Sequence, residues 1–495
     1  MPGADGIWDT LYTIFGIAGS HDYYPLTNQY PPMNVVYVDD DRPWDWYNVT
    51  GHYRNITYGM YYVANNGTVY VFDGTYNEHV IGNKSVKIIG NGSDTTTIHG
   101  IYHTHVVNLT ADYVNITGFT IENGGGHEYD AGVYIKTNHS YVYNNTIWDC
   151  EVGIYLQYSY NFIGRNNISG NQYNIYMVNS NRSNITRNTI EHSALYALYA
   201  ENSHHNIIDY NNCSNGTRGM RLITSTGNNL SYNEINDIEF DAIEITSNEN
   251  VVHRCDLINA TRGVYIHDCS NNELFYSNVS LSQKGVHIDS AYDMFVIRMK
   301  AYECYEYGII IENSSNINLY YNSLIRNAIN GFDDTSNNSW YSSDLERGNY
   351  WSNYHNASQG AYDNNSDGIA DDPYVVPTGG SLDLYPLMWP IGTGFISIDG
   401  KPNGCQIYDY TPTFNWTKIY DTGHYQLQIA TDSGFTNLVV NLTNITWASE
   451  WYFSSYYEQN ETRASFTLPP QYALPDYGLY YCRVRGLMHG GRPSP

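Results

Sequence analysis

A tetrapeptide of small, apolar, variable and apolar residues recurs along the middle of the chain, and this repeat constrains the fold more than any other feature. It reads GVYI from Gly132, GIYL from Gly153, NIYM from Asn174, ALYA from Ala197 and GMRL from Gly219. It continues as AIEI from Ala242, GVYI from Gly263, GVHI from Gly285 and GIII from Gly308. Successive starts lie 21, 21, 23, 22, 23, 21, 22 and 23 residues apart. Self-similarity at such a period means stacked supersecondary units. Alternation within each tetrapeptide is that of a short strand with one face buried. The Leu-x-x-Leu-x-Leu spacing of a leucine-rich repeat is absent. Three short strands and three bends fit the length, so each unit is expected to be one rung of a parallel β-helix, with rungs about 4.8 Å apart.

Stacking places equivalent residues above one another. One column holds Asn145, Asn166, Asn188, Asn211, Asn233 and Asn322, with Cys255, Ser277 and Met299 in the same slot. It reads as a ladder of side-chain amides at a bend. The variable tetrapeptide position gives an outward column of Tyr134, Tyr155, Tyr176, Tyr199, Arg221, Glu244, Tyr265, His287 and Ile310. Arg221 and Glu244 are adjacent in it and are expected to pair across rungs. The tyrosines are either a platform for sugar rings or another protein, or a stack that stabilises its own sheet; the second reading is favoured.

The chain carries 50 acidic and 23 basic residues, a formal charge of −27. That opposes binding to nucleic acid and to anionic membranes. No run of about 18 apolar residues offers a membrane span, and no secretory signal is visible at the N-terminus. Twenty-five Asn-X-Ser/Thr sites nevertheless give the sequence an extracellular character. Candidate N-linked glycan sites are Asn48, Asn55, Asn66, Asn83, Asn91, Asn108, Asn115, Asn138, Asn167, Asn184, Asn215, Asn229, Asn259, Asn278, Asn313, Asn356, Asn415, Asn441, Asn444 and Asn460. A repeat whose turns use Asn and Thr also generates such sites on its own. Cys150, Cys213, Cys255, Cys269 and Cys304 sit singly in different rungs without metal-type spacing, which points to buried free thiols. Cys405 and Cys482 lie apart from these in the C-terminal segment, where a disulfide between them stays open.

The segments VVYVDDD (Val35 to Asp41), TVYVFDGTY (Thr68 to Tyr76) and VKIIGNGSDTTTIHG (Val86 to Gly100), with the rungs that follow, resemble NosD-like right-handed parallel β-helix proteins. In particular they resemble the secreted, surface-layer-type versions of archaea. The tail is similar too, through NSWYSSD (Asn338 to Asp344), GNYWSNY (Gly348 to Tyr354) and LDLYPLM (Leu382 to Met388) in this numbering. The resemblance covers residues 34 to 390 and implies an envelope or adhesive protein, although some β-helices of related shape cut or epimerise polysaccharides.

Within the tail, Asp363, Asn365 and Asp367 followed by Gly368 match the first half of an EF-hand-type loop, with the Ile369 carbonyl and Asp371 or Asp372 as further oxygen ligands for Ca²⁺. Tyr374 replaces the usual final Glu, so the loop is incomplete or of another type. Residues 4 to 26 align with residues 366 to 387, and both copies end in Tyr-Pro-Leu. The N-terminal segment therefore reads as the end of a preceding module, or as a degenerate copy of the tail that packs on a neighbouring subunit. From Thr393 the rung pattern gives way to alternating strands at Thr411 to Thr417, Tyr425 to Asp432, Leu438 to Thr443, Ala464 to Pro469 and Gly478 to Gly486. These resemble a fibronectin type III-like domain with one strand fewer than usual.

No complete catalytic set stands out. The polygalacturonase pattern is absent as a set, and Asp333 with Asp334 matches only a fragment of an alginate-epimerase motif. Arg298 and Lys300 lack acids at matching rung positions. His103 and His105 are spaced to share a strand face, which suits copper or zinc, yet no third ligand is identifiable. The expected fold is all-β, a right-handed parallel β-helix followed by a small β-sandwich. The segments are 1–33, a β-helix over 34–335, a cap with the Ca²⁺-type loop over 336–392 and a sandwich over 393–495. The expected role is that of a non-enzymatic, glycosylated surface-layer or filament subunit outside the cell, self-associating or arranged in tandem. The alternative is a protein that binds or cleaves polysaccharide.

Overall fold

The computed structural model describes residues 32–101, 104–365, 368–388 and 390. Outside these it describes residues 12–13, 21–22, 397–398, 411–417, 424–432, 437–445, 457–459, 463–469, 472–474 and 480–487. The chain divides into two compact units, residues 1–269 and 270–495, each taken by itself. Both are built of strand and turn, and the one α-helix among the described residues is Ile56–Tyr62.

In the first unit each rung has three parallel strands. In one rung these are Phe162–Gly164, Asn167–Ser169 and Tyr173–Val178. They pair in register with Asn184–Thr186, Thr189–Glu191 and Tyr196–Glu201 of the next. The tetrapeptides form the third strand, as expected. The three expected bends are made with left-handed residues, four of them in the rung just named. They are Tyr160, Arg165, Gly170 and Asn179 in this rung, with φ of 60°, 55°, 69° and 54°. The corner after the tetrapeptide takes two of them, Asn179 and then Arg182 (φ 53°). A non-glycine residue there costs roughly 1 kcal/mol. Each bend answers it with a backbone bond to the next rung, such as Arg165 N–H to the Thr186 carbonyl at 3.1 Å.

Inward positions stack apolar residues of similar size. Ile163, Ile185, Ile208, Leu230 and Val252 form one wholly buried column, and Ile154, Ile175, Leu198 and Ile243 belong to another. The five rung cysteines are buried thiols that form no disulfide. Burial pushes the thiols of Cys150 and Cys255 up to about 12, so they are inert.

The asparagine ladder is present. The backbone N–H groups of Asn145, Asn166, Asn188 and Asn211 each donate to the Oδ1 of the next asparagine, at 3.1, 3.0, 3.0 and 3.0 Å. Each amide Nδ2 also reaches that same oxygen, at 2.9 to 3.3 Å. A second ladder, which the sequence reading missed, runs through Asn206, Asn228 and Asn250, with N–H to Oδ1 distances of 2.9 Å at both steps. A serine in the corresponding slot one rung away, Ser183, broke its pattern in the sequence; its N–H donates to Asn206 Oδ1 at 2.8 Å. At the other end of the described strands the helix Ile56–Tyr62 is capped by Asn55, whose Oδ1 accepts from Tyr58 N–H at 2.8 Å. Glu78 accepts from Ile56 N–H and Thr57 N–H at 2.7 and 2.8 Å, placing a carboxylate at the helix N-terminus.

In the second unit the rung strands end in a cap tied by two buried acids. Asp333 accepts from the Trp340 indole N–H at 2.9 Å, from Ser381 Oγ at 2.7 Å and from Asn338 Nδ2 at 3.0 Å. Asp383 accepts from the Trp351 indole N–H at 2.9 Å and from the backbone N–H groups of Asn349 and Tyr385 at 2.7 and 3.1 Å. Tyr374–Val375 pairs antiparallel with Leu382–Asp383. The N-terminal segment makes the same pairing at the aligned residues, Tyr12 with Asp22 and Thr13 with His21. Beyond residue 392 the expected strands appear as two antiparallel sheets. Phe414, Leu427, Ile429, Val440 and Phe466 pack together as the core of a small sandwich.

Candidate functional site

Outward side chains of the tetrapeptide strands converge on one ionic patch in the first unit. Strand register sets Arg221 opposite Glu244, and Arg221 Nε lies 3.3 Å from Glu244 Oε2. Glu244 Oε1 also meets His267 Nε2 at 3.3 Å, while His267 Nδ1 meets Asp268 Oδ2 at 2.8 Å. Arg262 pairs with the buried Asp241 and lies over the Tyr265 ring, 3.6 Å from its centroid. The Tyr265 ring in turn stacks on His267 at 4.2 Å. Burial works to raise the Glu244 pKa, but the His267 hydrogen bond and the charges of Arg221 and Arg262 outweigh it and hold the carboxyl below its ordinary value. The bond to Glu244 holds His267 above its ordinary value, against burial and with help from Asp268. The cross-rung pair was legible from the column; the histidine two residues along was not, because it belongs to the next outward column.

Each charge in this patch is answered by a neighbour, so the arrangement supplies stability rather than a free acid or base. Glu244→Gln is expected to cost about 2 kcal/mol in chemical denaturation, by leaving the half-buried Arg221 and His267 less well paired. It is also expected to move the His267 NMR titration midpoint downward. A histidine whose folded pKa is raised contributes stability fully below its unfolded pKa of about 6.5 and loses it as pH rises through the folded value. The Glu244→Gln deficit is therefore expected to be larger at pH 5.5 than at pH 8.5.

The tyrosine column is a self-stacking structure. Ring centroids are 5.1 Å apart for Tyr134 and Tyr155, 5.1 Å for Tyr155 and Tyr176, and 5.2 Å for Tyr176 and Tyr199. Tyr129, Tyr173 and Tyr196 form a second row against it, and Tyr176 is only 7% exposed. Ring faces that sugars would stack on are taken up by neighbouring rings.

Other candidates fall as follows. In the tail loop Asp363 Oδ2 accepts from Gly368 N–H at 3.0 Å and Asp371 Oδ2 from Asn364 N–H at 2.9 Å, while Asp367 lies outside the described residues. Among the described residues the one convergent set of three acids is Asp39, Asp40 and Asp41. None of the candidate glycan asparagines with described side chains is buried, whereas the ladder asparagines are. The side chains of Asn415, Asn444 and Asn460 lie outside the described set. Cys482 is a free, half-buried thiol, and Cys405 lies outside the described residues. His103 is likewise outside, and His105 Nδ1 accepts from Ala131 N–H at 3.0 Å. Asp333 serves the cap, and Arg298 lies over Tyr276 and Tyr321 at 5.3 and 5.1 Å.

No curated protein matches the chain. Among known structures it is similar to the A-module of the mannuronan C-5 epimerase AlgE6 of Azotobacter vinelandii, at 12% identity and a TM-score of 0.43, over 58% of this chain and 85% of that one. It is also similar to DFA-IIIase of Arthrobacter chlorophenolicus A6, at 13% identity and a TM-score of 0.42, over 52% and 83%. The Dettilon tailspike protein matches at 10% identity and a TM-score of 0.45, over 90% and 91%. These likenesses carry no activity across. The model of the family described as periplasmic copper-binding protein (NosD) matches residues 55–242 and 197–356, which together exceed half the chain and contain the stacked rungs. This chain belongs to the NosD family of parallel β-helix proteins.

Proposed function

We propose that this protein is a structural component of an extracellular surface, a surface-layer or filament subunit that associates with its own kind, carries N-linked glycans and catalyses no reaction. One observation carries this reading: the polar side chains best placed for chemistry are spent on neighbouring rungs. Glu244 and His267 answer each other, and Asp333 and Asp383 are enclosed by donors. A polysaccharide-cleaving reading would need acids and bases left unpaired beside a groove. No helix among the described residues is long and apolar enough to cross a membrane. Electron microscopy of the purified chain at rising concentration tests the proposal. Ordered filaments or sheets are expected; single particles at every concentration, with turnover of an added polysaccharide, would sink it.

The family description names copper, for which imidazole and sulfur ligands are the suitable donors. The residues described here do not fit. The convergent triad Asp39, Asp40 and Asp41 is all oxygen, and Asp39 Oδ2 already accepts from Arg42 Nε at 2.7 Å. The rung thiols are buried and held protonated in separate rungs. For the Asp363 to Asp372 loop the proposed ion is Ca²⁺, supported by the D-x-N-x-D-G order of oxygen donors. EDTA is then expected to lower the melting temperature of the second unit by several degrees and added Ca²⁺ to restore it. An unchanged melting curve would count against the site.

A further inference from the structure

The first strands of successive rungs, from Asn115–Thr117 to Val251–His253, form a strip of the first unit that is three residues wide. The middle residue of each points inward; the first and third alternate outward, although Thr117, Gly164, Thr186 and Ser231 at the third position are themselves buried. Those outward positions hold a single carboxylate, Asp209. Left-handed bends border the strip on both sides, and in neighbouring rungs they place Arg165, Arg182 and Arg187. None of the three has a carboxylate within 4.0 Å among the described residues, in a chain with 50 acids to 23 bases. Arg165 and Arg187 hold equivalent positions in neighbouring rungs, because the strand residues before them, Gly164 and Thr186, and the ladder asparagines after them, Asn166 and Asn188, are in register. Like charges one rung apart repel; what tempers them is the Tyr210 ring, whose centroid lies 5.1 Å from the Arg187 guanidinium, and Asp209, which stands opposite Thr186 in the next rung. Beside Arg182, a cavity of about 330 Å³ is lined by Ser159, Tyr160, Asn181, His204 and His205. Arg182 Nη1 donates to Tyr160 Oη at 2.6 Å, and both side chains are exposed.

We infer that this strip binds an acidic polysaccharide, a polyuronate or a sulfated glycan, laid along the stacking axis with anionic groups at Arg165, Arg182 and Arg187. Strip width favours this occupant: three residues at about 3.3 Å each seat one polymer chain, whereas a stable protein interface needs about 800 Å² per partner. The rung spacing of about 4.8 Å is also close to the advance of one sugar in an extended glycan, so anions and arginines can recur in step. Recognition is by charge and donors rather than by ring stacking. Tyr113, His139 and Tyr160 along one border already cover one another, with centroids 5.0 and 5.2 Å apart. The cavity at Arg182, with two imidazoles on its wall, has the volume to take one sugar unit. This inference stands apart from self-assembly, since the strip binds glycan whether or not copies associate.

Affinity electrophoresis of the full chain through gels containing polygalacturonate, dextran sulfate, neutral dextran or single-stranded DNA tests it. Retardation by polygalacturonate or dextran sulfate, weakened by salt, is expected, with none by dextran; the two acidic gels tell carboxylate from sulfate recognition. The triple variant R165Q/R182Q/R187Q is expected to lose at least tenfold in affinity with its melting temperature unchanged or raised. If the triple variant fails to fold, R187Q alone is read in the same gels and is expected to weaken binding. The inference is overturned if neither acidic glycan retards the chain or if the folded variants bind as tightly. It is overturned too by DNA retarding the chain as strongly, or by the variants losing only self-association, which would make the strip a contact between copies.

Discussion

Replacing Asn211 by leucine is expected to destabilise the first unit by about 3–5 kcal/mol. Leucine has the same branched four-atom skeleton as asparagine and leaves no cavity, so the cost comes chiefly from polar groups. Asn211 Oδ1 accepts from the N–H and the Nδ2 of Asn188, at 3.0 and 2.9 Å. Its own Nδ2 donates to the Ile185 carbonyl at 2.8 Å and to Asn233 Oδ1 at 3.1 Å. The substitution leaves the Asn188 N–H and the Ile185 carbonyl buried without these partners, at about 1–3 kcal/mol each. Asn212→Leu, at the exposed position beside it, is the control and is expected to change stability by less than about 0.5 kcal/mol. Urea denaturation of both checks this; a loss below about 1 kcal/mol for Asn211→Leu would remove the ladder from the account of what aligns the rungs.

The second unit is expected to become less stable as pH rises from about 4 to 7, and Asp383 is the reason. Burial pushes its carboxyl up to about 7, more than the donors from Trp351, Asn349 and Tyr385 bring it down. An unfolded aspartate titrates near 4, so between these values the folded state holds a proton that the unfolded state has lost. The contribution of Asp383 to stability is therefore fully present below pH 4 and falls through the window by about 4 kcal/mol, at 1.36 kcal/mol per pKa unit. Asp383→Asn is expected to flatten the profile in that window. It is also expected to lower overall stability, because an amide cannot accept at both positions where Asp383 now does. A wild-type profile that rises between pH 4 and 7 would mean the ring of donors outweighs burial.

Much of the architecture was legible because a β-helix writes its register into the sequence. The tetrapeptide alternation placed the third strand of every rung, and the asparagine slot placed one ladder. Arg221 and Glu244 could be paired by column alone. What stayed hidden has two physical sources. Left-handed bends accept any residue when the next rung supplies the backbone bond, so Tyr160, Arg165, Arg182 and Arg187 leave no glycine or asparagine signature. Slots filled by chemically different residues also break a pattern, as Ser183 does between Asn161 and Asn206. The tyrosine column was found, but not its second row, because Tyr129, Tyr173 and Tyr196 come from positions outside the tetrapeptide. The cap acids were seen only as an epimerase-like fragment and a tail motif. Their partners Trp340 and Trp351 lie in separate segments that meet only once the cap has folded, with ring centroids 5.4 Å apart.

We propose that this NosD-family β-helix is a structural part of a surface, with its best-placed acids and histidine spent on its own stack. Electron cryotomography of the native cell envelope, with averaging of the densities labelled for this chain, tests that most directly. A regular lattice or filament built from copies of the chain is the expected result; copies scattered singly, without repeating neighbours, would contradict it.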